Sequence, residues 1–137
     1  MSRALLLCCL LLSACAGPLP ERDPLQAWVD VLGAPDNVLL AERLDRLTVK
    51  DGRYYQLQPG PHQLQLRLQF ALPGGNGRER LGETLRTCLF NLDYGHFQAG
   101  QRYRVRAGQQ GYRGWVRLYD AQGQLLARGR QSRCGAL

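Results

Sequence analysis

An all-β fold, a small antiparallel β-sandwich of seven or eight strands, is what the sequence predicts for residues 25–137. Apolar residues recur at every second position from Leu25 onward, turn signals punctuate the chain at intervals of about ten residues, and helical periodicity is nearly absent. Leu25, Ala27, Val29 and Val31 alternate in the first strand. Residues 38–47 are the one stretch whose pattern admits a helix, and strand is preferred there. Leu47 to Lys50, the Asp51-Gly52 turn and Arg53 to Leu57 read as a hairpin, since Asp-Gly is a favoured two-residue turn. Pro59-Gly60-Pro61 turns sharply into Gln63 to Phe70, whose four apolar residues (Leu64, Leu66, Leu68, Phe70) share one face. Pro73 to Gly77 is a glycine-rich loop, and residues 85–92 form the next strand. Tyr103, Val105 and Ala107 alternate with Arg102, Arg104 and Arg106. Trp115 to Tyr119, the Ala121-Gln122-Gly123 turn and Gln124 to Arg128 make a second hairpin. The pattern contains no internal repeat and no low-complexity segment.

The first residues follow a different logic. Met1-Ser2-Arg3 carries one positive charge, Ala4 to Leu12 is an apolar run, and Ser13-Ala14 supplies small residues at a cleavage point. Those three parts make a secretory signal, and the run falls short of the roughly 20 apolar residues that span a bilayer. Leu12-Ser13-Ala14-Cys15 resembles the bacterial lipobox. That resemblance implies that residues 1–14 are removed and that the thiol of Cys15 carries diacylglycerol on the new N-terminus. Ala16 follows the cysteine rather than Asp, which by the same resemblance implies sorting to the outer membrane, lipid-anchored and facing the periplasm. Residues 15–24 contain Pro18, Pro20 and Pro24 and read as the lipidated cysteine with a short, partly extended tether. Nine residues reach at most about 30 Å, so the domain stays near the bilayer.

Removing residues 1–14 from the 137 leaves 123, enough for one domain with one core. Of the five cysteines, Cys8 and Cys9 leave with the signal and Cys15 is lipidated, so Cys88 and Cys134 remain. An even pair in an oxidising compartment reads as a disulfide, with a pair of buried thiols as the alternative. The charge balance is basic, 18 Lys and Arg against 11 Asp and Glu, and Lys50 is the only lysine. An exported protein seldom meets nucleic acid, so the basic balance points to solvated surface charge, or to anionic lipid or an acidic partner.

Catalysis finds little support. Beyond the signal the only serine is Ser132, and the only imidazoles are His62 and His96. Asp93 and His96 have the spacing of a metal-ligand pair, but two ligands without a third are a weak signal. Residues 74–77 lack the lysine and following helix of a phosphate loop. No enzyme activity, cofactor or metal is therefore expected, and a binding role is the remaining class. Trp28, Tyr54, Tyr55, Tyr112, Trp115 and Tyr119 are available for a sticky face, although most aromatics in a domain this size are core. The stripe Arg102, Arg104 and Arg106 offers three guanidiniums in a row to an acidic partner segment.

Phe90-Asn91-Leu92-Asp93-Tyr94, followed after a short bridge by Gly100 and Gln101 to Ala107, resembles the closing half of small β-rich envelope lipoproteins. Those are the lipoprotein chaperones, or pilotins, of type III secretion (the YscW/ExsB class). Trp28 to Leu32 and Val38 to Glu42 are similar to that group's first two strands; Gly95 departs from it where an Asp usually follows the tyrosine. The resemblance implies a β-sandwich and a partner, the secretin subunit, which a pilotin carries to the outer membrane and helps assemble. No binding residue follows from it. The alternative is an envelope lipoprotein of another binding class, lysozyme-inhibitor-like or structural.

Overall fold

The computed structural model describes residues 17–72 and 84–135. The signal at 1–14, the lipidation site Cys15 and the loop at 73–77 lie outside the described residues. Ten strands are formed: β1 (Ala27–Leu32), β2 (Asn37–Leu44), β3 (Leu47–Thr48), β4 (Tyr54–Leu57), β5 (Gly60–Ala71), β6 (Leu85–Phe97), β7 (Arg102–Gln110), β8 (Arg113–Tyr119), β9 (Leu125–Arg128) and β10 (Arg130–Cys134). There is no helix among the described residues. A front sheet has the order β4-β1-β7-β8-β9 and a back sheet the order β10-β6-β5-β2-β3. The all-β expectation holds, while the strand number rises from the seven or eight expected to ten.

The period-two alternation places one side of every long strand in a common core. Val29, Val31, Tyr55, Leu57, Val105, Val116 and Leu118 of the front sheet meet Leu39, Leu64, Leu66, Leu68, Phe70, Phe90 and Leu92 of the back sheet. Burying a side chain of this size contributes about 1.5–3 kcal/mol. Tyr55 needs a partner for its hydroxyl there, and the hydroxyl donates to the backbone carbonyl of Gln65, tying one sheet to the other. Burial pushes its phenol far above the ordinary tyrosine range, so it stays a donor.

Two expectations are corrected. The sheets are not antiparallel throughout, because β1 runs parallel to β7 from Trp28 opposite Arg102 to Leu32 opposite Arg106. These strands lie far apart in sequence, and no local pattern sets their relative direction. The expected hairpin across Asp51-Gly52 does not form either. A turn is there, with the Arg53 amide donating to Asp51 Oδ1 at 2.9 Å, but β3 pairs back with β2 and β4 pairs with β1 in the other sheet. The hairpin turn is Asp45-Arg46, whose φ values of 47° and 72° meet the two-residue requirement without glycine. Asp45 is held there by its carboxylate, which accepts from the Gln63 amide at 2.8 Å.

Both corners of the sandwich are closed by backbone. On one side Ala41 N–H donates to Gly52 C=O at 2.8 Å and Val31 N–H donates to Arg53 C=O at 3.0 Å, joining back to front. On the other the chain changes sheets at Gly129, between β9 and β10, and the Gly129 amide still donates to Val116 C=O at 2.8 Å. A Cβ at Gly129 would lie 3.1 Å from Val116 Cβ, which explains a residue without a side chain at this corner. Beyond it, β10 pairs with β6 so that Cys134 stands opposite Cys88, and the two are joined by a disulfide.

Candidate interaction face

The arginine stripe occupies the outer face of β7. Tyr103, Val105 and Ala107 are buried, so the alternation sends Arg102, Arg104 and Arg106 outward. The three differ in their surroundings. The parallel neighbour β1 brings Asp30 beside Arg102, whose Nε donates to Asp30 Oδ2 at 2.6 Å and whose Nη2 donates to Oδ1 at 3.1 Å. Trp28 Nε1 donates to the same Oδ1 at 2.9 Å. Burial works to raise the Asp30 carboxyl, but the hydrogen bonds from Arg102 and Trp28 and the charges of Arg102 and Arg104 outweigh it and hold the group below the usual carboxylate range. Arg104 and Arg106 form no ion pair among the described residues.

Register extends the stripe into a field. β8 places Arg117 directly opposite Arg106, and β9 places Arg128 opposite Arg117. Arg113 stands opposite Gln110 at the far end of the same face. Trp115 lies opposite Gly108, where a Cβ would come within 2.5 Å of the indole, so the ring lies flat across the glycine. The Arg117 guanidinium sits 4.4 Å from the Trp115 ring centroid, a cation–π contact. Tyr119 stands opposite Arg104. Arg113, Arg117 and Arg128 were absent from the expected site. Arg117 shares its parity with Trp115 and Tyr119, which was readable, but its place beside Arg106 depends on the β7–β8 register.

The six aromatics expected to be available divide. Trp28 and Tyr54 stack at 4.3 Å with an interplanar angle of 6° at the other end of this face. Trp28 is outward on β1 yet only 3% exposed, because the chain at Glu21 to Pro24 passes beside it with Gln26, Gly100 and Gln101. That chain runs along β4: the Asp23 amide donates to Gln56 Oε1 at 3.3 Å, and Arg53 Nη1 donates to Gly17 C=O at 3.0 Å. The segment read as a tether thus lies against the front sheet from residue 17 onward. Tyr55 is core, Tyr112 is exposed in the β7–β8 turn, and Trp115 and Tyr119 belong to the arginine field.

The histidines lead elsewhere. His62 Nδ1 lies 2.5 Å from Asp45 Oδ2 and Nε2 lies 2.6 Å from the Gln58 carbonyl, so the ring braces the β2–β3 turn against the start of β5. Asp93 and His96 are not brought together as ligands: Asp93 accepts from Gln63 and Arg130, whereas His96 packs edge-on to Tyr94. Among the described residues no three His, Cys, Asp or Glu side chains cluster as a metal site. Comparison with known proteins finds no matching family model, no similar curated protein and no similar solved structure.

Proposed function

We propose that this chain is an outer-membrane lipoprotein of the bacterial envelope that acts as a pilotin, binding a secretin subunit of a type III secretion system and helping it assemble. The observation that carries this reading is the sequence Leu12-Ser13-Ala14-Cys15 only two residues ahead of Gly17, where the chain is already packed on a disulfide-bonded β domain. A lipid at Cys15 supplies the address, and the two-sheet domain supplies the grip. Several acyl chains are needed because one gives only marginal binding, each buried CH₂ contributing about 0.8 kcal/mol.

The grip falls best on the β2–β3 margin of the back sheet. Val38, Leu40 and Leu47 are 51%, 40% and 75% exposed there, and β3 is a two-residue edge strand with an open side. Extended or helical tails of partner proteins bind such edges and apolar patches through contacts that salt does not weaken. Deleting the gene is expected to reduce secretin multimers in the outer membrane and leave monomers mislocalised or degraded, read by fractionation. Leu40→Asp should reproduce that loss with the protein still anchored. Normal secretin assembly in the deletion strain would refute the pilotin role. Protection of peptidoglycan in a lysozyme assay would replace it with an inhibitor role.

A further inference from the structure

We infer that the outer face of the front sheet rests on the anionic surface of a phospholipid bilayer, its arginines meeting headgroup phosphates and Trp115 lying in the interface. Charge is the first argument. Arg102, Arg104, Arg106, Arg113, Arg117 and Arg128 point outward from the strands of this sheet. The one outward strand carboxylate among the described residues, Asp30, is already occupied by Arg102, and Glu21, Asp23 and Asp120 lie only at the ends of the sheet. Arg106, Arg117 and Arg128 stand directly opposite one another across three strands. Like charges so placed destabilise a sheet, and no described residue forms an ion pair with any of the three. No described residue supplies the complement of this row.

The occupant follows from three further features. Trp115, Tyr119 and the half-exposed Leu32 beside Arg106 join apolar bodies to the guanidiniums, and rings with one polar edge suit the bilayer interface. The part of the face formed by β7, β8 and β9, beyond the segment that covers Trp28, is broad and matches a planar surface, whereas a peptide tail is held by an edge or a groove. The third feature is direction. Gly17 is held by Arg53 at the β4 margin of this same sheet, so an acyl chain on Cys15 draws the front face, not the back, toward the membrane. This last point rests on the lipoprotein reading. Each basic residue close to an anionic leaflet strengthens association by about fivefold.

Trp115 is the reporter, since the other tryptophan, Trp28, is 3% exposed and contributes a constant background. The protein purified from envelopes is added to vesicles of phosphatidylcholine alone or with a third phosphatidylglycerol, and quenching by acrylamide is measured. Sedimentation with the neutral vesicles reads the anchor by itself. The inference predicts that Trp115 quenching falls at least threefold on the anionic vesicles only. It also predicts that the shielding is lost in half-molar salt, where the screening length is about 4 Å, and in Arg104→Glu/Arg106→Glu/Arg117→Glu. Protein left in solution with neutral vesicles yet shielded on anionic ones would remove the anchor and keep this face. Unchanged quenching on anionic vesicles, or equal shielding on neutral ones, would overturn it. So would shielding by polyglutamate in solution without shielding by anionic vesicles, which would make the occupant a protein. If the triple variant does not fold, the wild-type salt and lipid comparison decides alone.

Discussion

The outer faces of the two sheets carry similar alternating patterns and behave oppositely. On the back sheet each outward residue of β5 from Gln63 to Gln69 has a partner. Gln63 donates to Asp93 at 3.0 Å, Gln65 to Asn91 at 3.1 Å and Gln69 to Thr87 at 3.1 Å, while Arg67 pairs with Glu42 at 2.7 Å. On the front sheet Arg106 faces Arg117, and Arg117 faces Arg128. The β5 row is paired within its sheet apart from Arg67 Nε, whereas no described residue pairs with the row Arg106, Arg117 and Arg128. The residue type on a strand does not decide which; the residue across the strand does.

The largest expected effect tests the closed edge of the back sheet. Replacing both Cys88 and Cys134 with Ala removes the covalent link between β10 and β6 and a loop constraint spanning a separation of 46 residues, leaving only the backbone ladder between the strands. Denaturant unfolding should then show a loss of about 2–4 kcal/mol. Next comes the amide ladder. Gln65→Ala leaves Asn91 without its cross-strand donor and should cost about 1 kcal/mol, measured in the same way. Asp30 gives a smaller, pH-dependent effect. Its folded carboxyl lies below the reference value of 3.8, so the stability it contributes is complete above that value and is lost as pH falls through its folded pKa. Asp30→Asn should flatten the acid limb of stability against pH. The smallest effect is expected on the front face: Arg104→Ala should leave stability within about 0.5 kcal/mol, as for an unpaired surface residue. A cost as large as that of Gln65→Ala would break the contrast between the two faces.

Much of this was legible in the sequence. The alternation of Leu64, Leu66, Leu68 and Phe70 against glutamines identified the longest core row, and the even cysteine pair identified the bond that closes the back sheet. Arg102, Arg104 and Arg106 were legible as an outward stripe for the same reason. Long-range pairing was not legible. Asp51-Gly52 is a turn, yet Tyr55 and Leu57 are drawn to β1 by burial in the core rather than back onto residues 47–50. The true hairpin turn, Asp45-Arg46, lacks glycine and owes its conformation to the amide of Gln63, distant in sequence. The parallel β1–β7 pair, which brings Asp30 to Arg102, has no local signature at all. The last strand also escaped notice, because its five residues, Arg130 to Cys134, are mostly polar.

The proposed lipid on Cys15, which would hold this domain in the envelope, is read out by the intact mass of the protein extracted from membranes. The account predicts a chain that begins at Cys15 and is heavier than its 123 residues by a diacylglyceryl group and one further acyl chain. Cys15→Ser should abolish both the added mass and the membrane fractionation. An unmodified mass, or a chain cleaved at any other position, would contradict the account.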